Sequence, residues 1–277
     1  MGENTNREEA GTPHGARTPQ DHRVYLLDTE TTSRDPGREV IEVAWIRLTT
    51  ADGAPSDLIP DELNVAESFV QRYKPEWPIA LGSLAVHHIL PCELEGCPPS
   101  IDAAIPADAG VLIGHSVDFD WESLGEPAGI KRIDTCALAR HLWPDADSHS
   151  QSALLYLLEG TTPETREALR GAHGALVDTR NNLVLLRHIL ERLRATKSEI
   201  TTWAALWDFS EFARIPTIMP IGRNRGTPIA QLEASEIHWY LDRDFIDKYL
   251  RLAFEREVAR RAKARRGPEE ELGAVPF

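Results

Sequence analysis

Cysteine is scarce in this sequence: Cys92, Cys97 and Cys136 are the only three. An odd, sparse set gives no disulfide framework and fits a reducing compartment. Long apolar runs are missing too. No stretch approaches the roughly 20 apolar residues of a membrane span. The polar start MGENTNREEAGTPHGARTPQ has no apolar core of the kind a secretion signal needs. A cytoplasmic protein that does not enter membranes is the expectation. Positive charge is also in deficit, with 30 Lys and Arg against 44 Asp and Glu, a net charge of -14. That argues against a protein that coats nucleic acid generally. It leaves room for an enzyme that grips a nucleic-acid end through metal ions and a local basic patch. No internal repeat is visible.

What is present suffices for a packed core: 42% of the residues are hydrophobic. A chain of 277 residues holds one large domain, or a medium one with a small companion. Residues 1–21, rich in Gly, Pro, Thr and charge, read as a disordered tail. Val24–Leu27 and Val40–Leu48 (VIEVAWIRL) read as strands joined through the turn-forming SRDPG, with further strands at Ser68–Tyr73 and Val111–Gly114. From Ser150 the pattern turns helical. Leu154, Leu155 and Leu158 cluster at helical spacing, as do Leu183, Leu186, Leu190 and Leu193. This predicts an α/β or α+β domain over 22–195. A linker over 196–211 follows, then a small module over 212–266 and an acidic tail over 267–277. The module offers a Gly-flanked basic turn, Gly222 to Gly226, and a final amphipathic helix. That helix carries Phe245, Ile246, Tyr249, Leu250, Ala253, Phe254 and Val258 on one side and ends in RRAKARR.

The chemistry starts with VYLLDTETT. In an extended strand residues i and i+2 point the same way, so Asp28 and Glu30 project together. Paired carboxylates repel unless a cation lies between them, and hard oxygen ligands suit Mg²⁺ or Mn²⁺. Two further stretches add to this. LIGHSVDFD places Asp120 on a turn after an apolar run, and HGALVD places His173 five residues before Asp178. Five is a poor same-face spacing on a helix, so His173 belongs on the loop before the helix that Asp178 opens. Each feature alone has an ordinary reading: a solvated strand end, a loop histidine, a carboxylate favoured by a helix dipole.

Together, D-x-E, H-x-x-x-F-D and H-x-A-x-x-D in this order resemble the three motifs of the DEDDh branch of DnaQ-like 3′–5′ exonucleases. The intervening IEVAWIRL, YKPEWPIALGSLAVHHIL and IDTCALARHLWPDADSHSQSALLYLL are similar to that family's second strand, P-x-x-P-I…H-x-I segment and D-T…L-A-R stretch. LARHLWP points towards the exodeoxyribonuclease X group, and MPIGRNRG…EIHWYL is similar to the F-G-K-x-R-G…Y-L-R-W segment of its C-terminal module. The resemblance covers about residues 22–258. It implies a ribonuclease H-like fold, a mixed central sheet flanked by helices, with a small C-terminal α+β module. It also implies a metal-dependent 3′–5′ exonuclease that releases nucleoside 5′-monophosphates.

In that scheme Asp28, Glu30 and Asp178 hold one Mg²⁺ or Mn²⁺, and Asp28 shares a second ion with the scissile phosphate. Asp120 acts directly or through water, and His173 is the general base. Thr31, Thr32, His115, Ser116 and Phe119 fall along the substrate path. Val86 to Ile89, with His87 and His88 between them, fall where the family wedges apart terminal bases, and Arg223 and Arg225 lie in the module's basic turn. The departures are Ser116 for the usual Asn, Ser33 for Gly, Arg223 for Lys and Glu236 for Tyr.

The partner implied is a nucleic-acid 3′ end, DNA ahead of RNA and single strands ahead of duplex. An RNA exonuclease and a non-catalytic nucleic-acid-binding adaptor are the competing readings. Two lesser signals have plainer accounts. His87, His88, Cys92 and Cys97 could be read as zinc ligands but lack a second tight ligand pair. Trp203, Trp207 and Trp239 could stack on bases but suit packing better.

Overall fold

The computed structural model describes residues 23–50 and 56–266. The two tails expected at 1–21 and 267–277 lie outside the described residues. β1 (Arg23–Thr31) pairs antiparallel with β2 (Val40–Thr49), and β2 pairs antiparallel with β3 (Asn64–Arg72). β4 (Ala109–Gly114) lies parallel to β1, and β5 (Lys131–Asp134) parallel to β4. The sheet order is β3-β2-β1-β4-β5.

Two strand expectations are corrected, and β5 was not among those expected. β1 runs on to Thr31, so Asp28 and Glu30 lie within the strand rather than beyond it, because β2 pairs with this polar half as well. β3 begins at Asn64 rather than Ser68. β5 has only four residues, two of them basic, and carries no apolar signal of its own.

The helices, in chain order, are α1 (Leu81–His87), α2 (Asp118–Ser123), α3 (Thr135–Leu142), α4 (Gln151–Glu159), α5 (Pro163–Ala168), α6 (Ala175–Thr196), α7 (Trp203–Ala213), α8 (Ala234–Leu241) and α9 (Lys248–Arg266). Alternation along the strands assigns them to the faces. Val24 and Leu26 on β1, with Ile46 and Leu48 on β2, form one core with α6. That helix buries Leu183, Leu185, Leu186, Ile189, Leu190 and Leu193. Each such side chain contributes about 1.5–3 kcal/mol, which makes α6 a rigid mount for whatever its first turn carries. Tyr25, Leu27, Val43 and Leu112 look the other way, and Trp121 of α2 packs there.

Residues 196–211 were expected to be a linker, yet most of α7 falls in them. Trp203 and Leu206 are buried in the main core, with Trp207 packed against it. A second core forms further on, from Met219, Ile229, Leu232, Ile237, Tyr240, Ile246, Leu250, Ala253 and Phe254. Among the described residues this region's β structure is a single bridge, Ile218 to Pro228. Phe245, expected on the buried side of the last helix, precedes α9 and is exposed. No helix among the described residues is long and apolar enough to cross a membrane.

Candidate active site

β1 outruns β4, and its polar end carries Asp28 and Glu30 on the face beneath α6. Asp178, in the first turn of α6, meets them there. One carboxylate oxygen from each of the three lies within 4.8 Å of the others. This is the sole such group of three among the described residues, so His87, His88, Cys92 and Cys97 do not assemble as a zinc site there.

No ion pair among the described residues involves Asp28, Glu30, Asp120 or Asp178. The cost shows in their acidities. Burial, then the charges of Asp120, Asp178, Glu30 and Glu42, hold Asp28 well above the usual carboxylate range. Burial first, then Asp178, Glu42 and Asp120, pushes Glu30 up to about 8. Burial also raises Asp178, against the pull of the His173 backbone N–H. Carboxylates this close ionise together only around a cation, and an all-oxygen donor set fits Mg²⁺ or Mn²⁺.

Asp120 sits in the first turn of α2 rather than on a turn. It is 4% exposed, and its Oδ1 accepts from the backbone N–H of Thr29 at 2.9 Å and from Thr29 Oγ1 at 2.7 Å. Burial raises it to about 7, with both Thr29 donors pulling the other way. Its oxygens lie outside the three-oxygen cluster. The chain reaches α2 by a tight turn at Gly114, where a Cβ would stand 2.9 Å from the Val117 side chain. His173 lies on the loop before α6, as its spacing predicts, exposed and with φ at +71°. Its own N–H donates to Asp178 Oδ2 at 2.9 Å, so a cluster carboxylate pins the histidine's backbone.

The residues expected along the substrate path divide. Thr31 and Thr32 are buried, and their hydroxyls serve the chain itself. Thr31 Oγ1 donates to the Ser33 carbonyl, and Thr32 Oγ1 accepts the Glu39 N–H. His115 is similarly engaged, Nδ1 with Thr135 Oγ1 at 3.1 Å and Nε2 with the His149 carbonyl at 2.8 Å. Ile89 is 3% exposed in a small core with Ile41 and Leu94, and His87 is buried, its Nδ1 accepting the Ile89 N–H. The apolar side chains that face solvent here are the flanking Val86 and Leu90, with His88 exposed between them.

Ser116 is exposed at φ +73°, a left-handed conformation that Asn adopts more readily than Ser. The Arg38 guanidinium covers the Phe119 ring at 4.0 Å. Arg223 pairs with Glu236 at 2.8 Å, whereas Arg225 is exposed with no ion-pair partner among the described residues. At the end of α9, Arg260 and Arg261 both pair with Glu257. Trp239 is half-exposed, with Arg243 4.7 Å over its ring.

Two residues escaped the sequence reading. Glu42 is buried on β2 directly opposite Glu30, and Arg72 on β3 lies opposite Glu42 and pairs with it at 2.9 Å. A lone carboxylate inside the apolar VIEVAWIRL was the available signal.

No family model matches the sequence, and no curated protein matches it. Among solved structures, exonuclease X in complex with 5′-overhanging duplex DNA is similar over 68% of this chain and 99% of its own, at 25% identity and a TM-score of 0.50. The E. coli exonuclease I complex with single-stranded DNA matches 71% of this chain and 44% of its own, at 16% identity and a TM-score of 0.48. A 3′-exonuclease recognising the histone mRNA stem-loop matches 61% and 81%, at 15% identity and a TM-score of 0.43. The first of these bears on the fold. Its sheet order and its likeness to exonuclease X give the chain the ribonuclease H-like fold found in DnaQ-like exonucleases, with the three resembling motifs in the same sequence order.

Proposed function

We propose that this protein is a metal-dependent 3′–5′ exonuclease that hydrolyses terminal phosphodiesters of single-stranded DNA. The observation that carries this reading is the meeting of Asp28, Glu30 and Asp178 within 4.8 Å, with no protein cation paired to any of them among the described residues. The solved exonuclease X complex, which contains DNA, supports the substrate class.

Asp28, Glu30 and Asp178 would hold one Mg²⁺ or Mn²⁺, and Asp28 would share a second with the scissile phosphate. Such ions supply positive charge to the attacking and leaving oxygens of an in-line displacement. The chain's own residues do the rest. Asp120 clamps Thr29 and so steadies the strand end between Asp28 and Glu30. His173, on a loop pinned by Asp178, takes the proton of the attacking water at a ring nitrogen. Val86 and Leu90 present exposed apolar side chains that can part the last base pair. The nuclease unit runs through α7, and the 212–266 module docks beside it.

A 5′-labelled oligonucleotide is expected to give a descending ladder with Mg²⁺ or Mn²⁺ and none with EDTA. Single strands and 3′ overhangs should be cut faster than blunt duplex. Release of the 5′ label first, or cleavage that persists in EDTA, would end this reading. Faster loss of an RNA strand would reassign the substrate, and tight binding without cleavage would favour the adaptor.

His173→Ala is expected to lower turnover by about 10²–10⁴ while Mn²⁺ affinity is kept. Calorimetry that shows Mn²⁺ binding lost as fully as in Asp28→Ala would make His173 a ligand instead. In the module, Arg225→Ala should reduce the salt slope of log K for single-stranded DNA by roughly 0.7. An unchanged slope leaves Arg225 without a phosphate contact.

A further inference from the structure

Glu42, 6% exposed in the middle of β2, has both carboxylate oxygens engaged. Oε1 accepts from Arg72 Nε at 2.9 Å. Oε2 accepts from the backbone N–H of Ala175, the first residue of α6, at 3.0 Å. Ala175 is wholly buried, so no water stands ready to replace that acceptor. Negative charge at this point also suits the helix dipole. Glu42 faces Glu30 across β1 and Arg72 across β3, one lateral row on the sheet. Although it is opposite Glu30, it lies outside the three-oxygen cluster. The row continues outward. Arg72 Nη1 donates to Glu93 Oε1 at 2.9 Å, and Glu93 Oε2 accepts the Leu90 N–H at 2.7 Å. One chain of contacts thus joins the exposed Leu90 segment to the first turn of the helix that carries Asp178.

We infer that Glu42 is a positioning residue: it holds the first turn of α6, and with it Asp178 and the His173 loop, against Asp28 and Glu30. Arg72 neutralises Glu42 and occupies its second oxygen, and through Glu93 it ties that turn to the Leu90 segment. The role rests on the exonuclease reading for its catalytic consequence but not for its structural one.

The test uses three full-length variants. Glu42→Ala is expected to lower kcat by about 10–100-fold at unchanged KM for single-stranded DNA. Glu42→Gln turns an amide NH₂ towards one of two donors, so it should also lose turnover. Glu42→Gln combined with Arg72→Gln removes that conflict: the amide oxygen at 42 can accept from Ala175 while its NH₂ donates to the oxygen at 72. The double variant should therefore regain most of the turnover, which a role that depended on charge would not allow.

Amide hydrogen exchange over residues 175–178 supplies a readout that needs neither substrate nor metal. It should quicken in both single variants, with the rest of α6 unchanged, and slow again in the double. If Glu42→Ala fails to fold, the single and double Gln variants decide. A double variant no more active than Glu42→Gln, a loss confined to KM, or unaltered exchange would overturn the inference. A wild-type chain that cleaves nothing would instead overturn the function while leaving the exchange result to judge Glu42.

Discussion

Asp28→Asn is expected to reduce strand degradation by about 10³-fold or more and yet to make the metal-free protein more stable. The two effects share one cause. Asp28 is half-buried, and desolvation, then the charges of Asp120, Asp178, Glu30 and Glu42, hold its carboxyl well above the ordinary range. Ionising it without a cation costs folding energy, and the amide removes that cost together with the ligand. The sign of the pH dependence follows. Where a folded-state carboxyl titrates above its unfolded value, the native state binds more protons, so stability falls as pH rises through the interval. The interval here opens at the ordinary carboxylate values of about 4. It closes at about 7 for Asp120 and about 8 for Glu30. Wild-type protein in EDTA should therefore melt lower at pH 8 than at pH 5, and Asp28→Asn should flatten that fall. Saturating Mg²⁺ or Mn²⁺ should restore wild-type stability at pH 8, by about 2.7 kcal/mol at a hundred times Kd. Thermal melts across this range, with and without metal, check all three statements. Wild-type melts that do not respond to pH, or a variant less stable than wild type in EDTA, would contradict this account of the site.

Arg214→Leu is the second large effect, and it falls on stability. The Arg214 side chain is 4% exposed. It pairs with Asp118 of α2 and donates to Tyr249 Oη and the Arg132 carbonyl, each at 3.0 Å. Glu211 of α7 accepts in turn from the Tyr249 hydroxyl at 2.9 Å. Burial pushes the Asp118 carboxyl up, but Arg214 and Arg132 outweigh it and hold the group below its usual value. Removing one member of a buried pair costs about 3–5 kcal/mol. The lower end applies here, because Asp118 keeps Arg132 at 2.6 Å and is one-third exposed. At about 2–4 °C per kcal/mol for a chain of this size, the melting temperature should drop by about 10 °C. The same residue ties α9 to α2, two positions from Asp120. Limited proteolysis of the variant should therefore open the 212–266 region while the nuclease unit persists. A melt within about 3 °C of wild type, with unchanged proteolysis, would remove Arg214 from the docking of the module.

How much of this was open to the sequence depends on whether a property is local. The i, i+2 projection of Asp28 and Glu30 is built into any extended strand, and the loop position of His173 follows from its five-residue separation from Asp178. The order of the three motifs, through a family resemblance, implied the ribonuclease H-like fold that the sheet order bears out. What tertiary structure alone decided is which groups find partners. Asp120 reads as a turn residue in LIGHSVDFD. It became a helical clamp on Thr29 because β1 outruns β4 there. Thr31, Thr32 and His115, polar and near the motifs, spend their hydrogen bonds on the chain itself. Of the expected wedge, Ile89 lies in a small core while Val86 is exposed, as is the neighbouring Leu90. Arg223 and Arg225 look alike in GRNRG, yet among the described residues only Arg223 has an ion-pair partner. Glu42 and Arg72 are thirty residues apart and neighbours only across a sheet register. Pairing energy depends on distance and burial, and neither quantity is written in a linear order of residues.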